Sequence, residues 1–290
     1  LYVADMYREV IEHPDSLPPL IKKHLDLNAG FDRGRIYRIV PKNFTQPEIS
    51  NLAELNDLGL KMLLSHPNAW HHETAARLLS QFHHKQHPGI HDIMPSMKNS
   101  AEDPQGRMRI LYAVAGLGKI TPRLLTQALE DRSPIVRQHA LRLAEPLLSA
   151  STDLQQAVLQ LTDDADPRVR YQLAYTLGEH PTAQDPPDAF VQLAKQDAAD
   201  PWMRLALLSS LTNGAGEVLT ALVNEIDLGP DNKVRDFLVQ LAVLVGASGQ
   251  TDDLQLTLDT IDGLPNTKRS LPQFLLSGLL NGLQQTPGNP

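Results

Sequence analysis

The chain has 290 residues, with 26 Lys plus Arg against 34 Asp plus Glu for a net charge of −8, and it is 41% apolar and 5% aromatic. That length corresponds to about two domains, and the apolar content is enough to bury a core and too high for a disordered chain. The acidic balance argues against nucleic acid or a polybasic membrane surface. Zero Cys excludes disulfides, a Cys nucleophile, a zinc–thiolate site and covalently attached c-type haem, and no apolar run approaches the ~20 residues of a membrane span.

Residues 1–45 differ from the rest of the chain. Leu1–Met6 is aromatic and β-branched and reads as a strand, and Arg35–Val40 alternates polar with apolar and reads as a second, ended by Pro41. A polar connection with Pro14, Pro18, Pro19 and Gly30 lies between them, and Asp32-Arg33-Gly34 is the expected turn into the second strand. Two strands alone are marginal in water, so this hairpin needs a partner sheet or the helical part to pack on. The chain starts at Leu1 without an initiator Met, so it is expected to be a fragment, and a missing targeting signal carries little weight.

From Pro47 the period is helical. The first helix is expected over Pro47–Ser65, with Leu52, Leu55, Leu58, Met62 and Leu63 as its buried stripe. A repeat comes next. An acidic or small polar residue recurs with Arg four places later: Asp103/Arg107, Ser133/Arg137, Asp166/Arg170, Asp200/Arg204 and Asp231/Arg235, the arginines spaced by 30, 33, 34 and 31. Pro104, Pro134, Pro167 and Pro201 follow the first residue, which is an N-cap followed by proline at the first helical position. Second helices are expected at Pro122–Leu129, Leu154–Leu161, Asp188–Ala194, Glu217–Ile226 and Asp253–Ile261, with Gly118, Gly178, Gly214 and Gly249 near helix ends. Asn68/His72 opens an earlier unit, and a degraded last copy lies at Asn266–Gly282.

Two helices per 30–37 residues, repeated, make an α-solenoid: a mainly α fold of about six to seven helix pairs behind a short N-terminal β-hairpin. The Asp-Pro-x-x-Arg pattern resembles HEAT repeats over about residues 50–283. The resemblance implies a ladder between neighbouring repeats, here Asp103, Asp166, Asp200 and Asp231 with Arg107, Arg137, Arg170, Arg204 and Arg235. The expected role is structural, with the acid capping a helix and the arginine tying turns together. Ser133 and His72 depart from the pattern, so the ladder is expected to be weakest there.

Leu1-Tyr-Val-Ala-Asp-Met-Tyr-Arg-Glu-Val-Ile-Glu-His-Pro14 and Asp32-Arg-Gly-Arg-Ile-Tyr-Arg-Ile39 resemble the closing part of a β-propeller. His66-Pro-Asn-Ala-Trp-His-His-Glu-Thr-Ala-Ala-Arg-Leu-Leu79 resembles the opening of the array that succeeds it in planctomycete and verrucomicrobial "membrane-bound dehydrogenases". These are similar to sorbosone dehydrogenases in the propeller and usually end in a c-type cytochrome. The resemblance implies a propeller hairpin at 1–45, a HEAT solenoid at 46–283, a tail at 284–290, and a periplasmic or envelope parent carrying c-type haem and a propeller-bound cofactor. The segment itself has neither Cys nor most of a propeller, so it inherits neither haem nor catalysis.

Site candidates are few. Asp5 and Arg8 at a strand end, with His13 and Arg33 behind them, are candidate ligand-binding residues of the propeller tail. Histidines cluster between His66 and His91; His83/His87 and His87/His91 stand at i, i+4 and are candidate metal ligands, although Pro88-Gly89 breaks a helix there. Trp70 and Trp202 are expected to pack between repeats. No catalytic residue, cofactor or metal site is assigned to the segment, and the expected partners are proteins or neighbouring domains of the same parent. The expected function is a non-catalytic scaffold linking a propeller dehydrogenase to a cytochrome or docking a protein. The alternatives are a hairpin that completes a sugar dehydrogenase site and a His-cluster metal binder.

Overall fold

The computed structural model describes residues 1–8, 10, 11, 13–46, 51–83, 103–179, 187–211, 213–225, 232–265 and 270–285. They form two compact units, Leu1–Asn51 and Leu52–Pro290.

In the first unit β1 (Tyr2–Asp5) pairs antiparallel with β2 (Arg35–Arg38), Tyr2 opposite Arg38 and Asp5 opposite Arg35. A single helical turn, α1 (Pro19–Lys22), interrupts the connection. Both strands are short of their predicted spans, and apolar side chains on both faces are exposed, Ile36 and Leu1 most of all. Polar contacts hold the unit: the Arg8 guanidinium donates to the Leu27 carbonyl at 2.7 Å, Arg35 stacks over the Tyr7 ring at 4.4 Å and Arg38 over Phe44 at 4.7 Å.

The second unit is helical. The predicted first helix is broken: a 3₁₀ turn covers Leu52–Glu54, and α2 begins only at Asp57 and runs to Leu63. The cause is local, because Asn56 takes an extended conformation and its side chain accepts from the Gly59 amide, starting a new helix. The break turns the helix, so Leu60 and Leu64 are buried while the predicted core residues Leu58 and Met62 are exposed. Residues 47–50 of that prediction lie outside the described residues.

Helices α3 (Ala69–His83), α4 (Pro104–Gly116), α5 (Pro122–Leu129), α6 (Pro134–Ala144), α7 (Thr152–Leu159), α8 (Pro167–Gly178), α9 (Pro187–Asp197), α10 (Pro201–Ser210), α11 (Ala215–Glu225), α12 (Asn232–Ser248), α13 (Thr251–Asp262) and α14 (Leu271–Gln285) complete the unit. Every predicted second helix is present within a few residues. Among the described residues α4/α5 to α12/α13 make five complete pairs, with α3 and α14 standing as first helices at the two ends. First helices α4, α6, α8, α10, α12 and α14 pack successively side by side; among the second helices, α5 packs on α7, α9 on α11 and α11 on α13. The apolar stripes of both rows meet in one continuous core from Leu52 to Leu279, with Phe190 and Phe237 its largest members.

Asp103, Asp166 and Asp200 are N-caps as predicted, each accepting from the amide two residues on. Gly118 and Gly249 close helices in the left-handed region, at φ 64° and 67°. Gly178 does not: it is needed for close approach, since a methyl there would meet Ser210 Cα at 2.9 Å.

Three buried side-chain atoms among the described residues have no hydrogen-bond partner: Arg8 Nε, His71 Nδ1 and Thr257 Oγ1. Thr257 in α13 is fully buried, and its hydroxyl makes no hydrogen bond. Thr257→Val keeps the shape and removes the desolvated oxygen, so it should stabilise the fold by about 1 kcal/mol in urea unfolding. Thr260→Val should do the reverse, because that hydroxyl contacts Thr220 at 2.8 Å and donates to the Leu256 carbonyl at 2.7 Å.

Candidate interaction surface

The repeated arginines point into the stack. Arg107 pairs with Asp131 at 2.7 Å, Arg137 with Asp164 at 2.6 Å and Arg170 with Asp197 at 2.6 Å, each through Nε and Nη2 on the two carboxylate oxygens. These side chains are largely buried, Asp164 down to 3% exposed. A second arm also reaches back: Arg137 Nη1 donates to the Asp131 carbonyl at 2.8 Å, and Arg170 Nη1 to the Asp164 carbonyl at 2.6 Å. One aspartate thus receives the arginine of the repeat before it on its side chain and that of its own repeat on its backbone.

This ladder corrects the predicted one. Asp103, Asp166 and Asp200 do not receive the ladder arginines, because their carboxylates are turned onto the helix N-termini they cap. The partners are Asp131, Asp164 and Asp197, two or three residues upstream of the next cap. Ser133 was expected to weaken the ladder, yet Arg107–Asp131 is as close as its neighbours, because Asp131 carries the pair and also accepts from the Ser133 amide at 2.8 Å. Arg204 bonds the Ala198 and Ala199 carbonyls. Arg235 departs from the pattern, stacking over Phe274 at 4.5 Å with Asp236 3.8 Å away. Asp231 lies outside the described residues.

Burial opposes ionisation of Asp131, but the Arg107 guanidinium and the Ser133 amide outweigh it and hold the carboxyl below its ordinary range. The hydrogen bond and charge of Arg168 pull Asp166 down to about 2. Glu145, between α6 and α8, behaves oppositely. Burial pushes its pKa up, although the Thr176 hydroxyl donates to it at 2.9 Å and the Gln172 amide at 3.2 Å. An acid whose folded pKa is raised costs stability once ionised, so its penalty appears as pH rises through the folded value. Glu145→Gln should therefore melt higher than the parent chain at pH 7, with the gap closing below the ordinary glutamate value of about 4.3. A lower melting temperature at pH 7 would refute this.

The predicted ligand-binding residues do not converge. The Asp5 carboxylate accepts from the Tyr7 amide at 2.9 Å, while Arg8 is turned to Leu27. His13 faces Asp15 at 3.8 Å, and Arg33 lies 5.9 Å from the Tyr7 ring. His83 lies in α3 with its side chain outside the described residues, as are His87 and His91 altogether. Among the described residues no group of three or more His, Asp or Glu is placed to hold a metal, and no helix is long and apolar enough to cross a membrane. The His66 and His71 rings meet at a tilt, with centroids 4.3 Å apart.

The outer face of the first helices holds the features that sequence reasoning missed. Trp202 is 66% exposed and Trp70 57%, against the expectation that both pack between repeats. Trp202 divides two clefts. One of about 390 Å³ lies between α8 and α10, lined by Pro167, Arg168, Tyr171 and Met203; one of about 350 Å³ lies toward α12, lined by Leu205, Leu208 and Gln240. Tyr171 and Tyr175 join hydroxyls at 3.0 Å, and Tyr112 on α4 bonds His139 on α6 at 2.8 Å. The signal was readable: Trp202 stands two places before its ladder arginine, on the side opposite the buried +3/+4 positions.

HEAT repeats match residues 121–212, and a domain of unknown function, DUF7133, matches residues 1–43. No curated protein matches the chain. The X-ray structure of YIBA_ECOLI, an Escherichia coli protein, is 17% identical, covering 82% of this chain and 99% of that one with a TM-score of 0.34. A designed armadillo repeat protein in complex with the peptide (KR)4 is 15% identical, covering 79% and 100% with a TM-score of 0.29. The helical unit is a HEAT-like α-solenoid.

Proposed function

We propose that this chain is a non-catalytic scaffold that docks a protein partner, and that in a longer exported parent it holds a propeller-type dehydrogenase domain beside a cytochrome domain. The observation that carries the docking reading is the division of the first helices into two faces. Arg107, Arg137 and Arg170 are spent inside the stack, while Trp202, Leu205 and Tyr175 stand outward across adjacent repeats. Exposed aromatic residues around clefts mark interaction surfaces more often than isolated surface apolars do. HEAT-type stacks offer such extended surfaces because each repeat adds the same face to the next. The parent rests on the resemblance of residues 1–14, 32–39 and 66–79 and on the exposed apolar faces of the hairpin.

Hydroxyl-radical footprinting tests the docking reading. Trp202 oxidation should fall in an extract of the encoding organism relative to the purified chain, and equal oxidation overturns docking at this face. Reading the gene on both sides tests the parent: further blade-like units upstream and a Cys-x-x-Cys-His downstream are expected. A start codon directly before Leu1 and a stop after Pro290 overturn the redox parent. The purified chain should oxidise no aldose with a dye acceptor; turnover abolished by Asp5→Asn or Arg8→Ala assigns the hairpin to an enzyme site instead.

A further inference from the structure

Charge is unevenly distributed along the first helices. Helices α4, α6, α8 and α10 contain seven arginines and not one carboxylate, in a chain whose net charge is −8. Three of the second helices differ: α7, α11 and α13 carry Asp153, Glu217, Glu225, Asp252, Asp253, Asp259 and Asp262 with no cation, whereas α5 carries Arg123 alone and α9 is mixed.

Four of the seven first-helix arginines are used by the fold: Arg107, Arg137 and Arg170 in ion pairs and Arg204 on backbone carbonyls. Arg168 is paired with Asp166 but leaves its side chain 68% exposed. Arg109 on α4 and Arg142 on α6 make no direct ion pair among the described residues, although the Arg142 charge also acts on Glu145. Arg109 donates to Gln105 and Arg142 to Gln172, both at 3.2 Å. Arg77 on α3 repeats this arrangement with Gln81 at 3.1 Å. Of the carboxylates at the rim of the larger cleft, Asp197 is paired with Arg170 and Asp200 accepts from the Trp202 amide of the helix it caps.

We infer that this face takes an acidic peptide segment of a protein partner, its carboxylates over Arg109, Arg142 and Arg168 and an apolar side chain in a cleft beside Trp202. The inference rests on the docking reading and names the chemistry of the partner. Arg109 and Arg142, which make no ion pair among the described residues, and the exposed guanidinium of Arg168 supply charge complementarity to an acidic segment. Exposed aromatic and apolar surface at Trp202, Tyr171 and Leu205 supplies the anchor, which a charge match alone does not. Adjacent helix axes lie about 9 Å apart, so α4 to α10 spans roughly 27 Å, the reach of about eight extended residues. The acidic run and the apolar anchor should therefore sit within one short segment.

Fluorescence anisotropy on the full chain tests this with two fluorescein-labelled peptides. One carries a run of glutamates ending in Leu-Trp, and in the other lysines replace the glutamates. The glutamate peptide should bind saturably, at least about tenfold more tightly than the lysine peptide, and weaken as salt is raised. Trp202→Ala and the double variant Arg109→Glu/Arg142→Glu, both at exposed or half-exposed positions and checked for unchanged circular dichroism, should each weaken it about tenfold. Equal or tighter binding of the lysine peptide overturns the inference, as do unchanged affinities in both variants or no saturable binding of the glutamate peptide. If peptide binding fails while Trp202 stays protected in extract, the acidic occupant is wrong and docking stands. If that protection is missing too, the docking reading falls with it.

Discussion

Arg137→Ala should lower the unfolding free energy by about 3–5 kcal/mol, whereas Asp166→Ala should cost only about 1 kcal/mol. The two residues belong to the same repeat boundary, and the sequence pattern makes Asp166 the ladder acid. The structure assigns the ion pair to Asp164, whose side chain is 3% exposed. Removing Arg137 strands that carboxylate in the core and takes a donor from the Asp131 carbonyl. Removing the Asp166 side chain costs one helix cap and a solvent-facing pair with Arg168. Urea unfolding followed by circular dichroism at pH 7 separates the two. Arg137→Leu with Asp164→Leu should lose less than either single change, since no unpaired charge then remains. Equal costs for Arg137→Ala and Asp166→Ala would return the ladder to the predicted acids. The sign with pH follows from Asp131, whose folded pKa is depressed. Its contribution is complete above the ordinary aspartate value and is lost as pH falls through the lowered one, so this rung should fail only in acid.

Gly282→Ala should destabilise the C-terminal end of the stack by about 3 kcal/mol, and Gly246→Ala by a similar amount. First helices α12 and α14 nearly touch along their backbones. A methyl on Gly282 would land on the Val243 carbonyl and within 2.8 Å of the Ala247 nitrogen, and one on Gly246 would land on the Leu279 carbonyl. Gly278 continues the contact one turn earlier, where a methyl would lie 2.8 Å from the Val239 carbonyl oxygen. These obstacles are backbone atoms, so no side-chain rotation relieves them. Gly116→Ala is the control: it also replaces a helical glycine, but nothing lies within 4 Å, and it should gain about 0.5–1 kcal/mol from helix propensity. Thermal melts should show the two glycine classes moving in opposite directions. Equal, small effects at Gly282 and Gly116 would mean the two helices stand further apart than described.

The helical architecture is legible in the chain because caps, prolines and apolar spacing act locally. Asp103-Pro104, Asp166-Pro167 and Asp200-Pro201 each start a helix, and the 3.6-residue stripe selects the buried face. The prediction over 47–65 failed on equally local chemistry, the Asn56 cap, which the apolar count overlooked. The strand pair was legible too, while the Asp5 and Arg8 reading depended on side-chain direction, and these two turn to different backbone groups. The pairing of the ladder is a property of the folded stack. Arg137 has several aspartates at plausible sequence distance, and the one it meets is set by how the next repeat docks, 27 residues on. Stacking likewise turned Trp202 outward and divided the arginines into those used inside the stack and those left on its surface. A helix period says which residues share a face, but which face meets a neighbour is settled by the packing of repeats against one another.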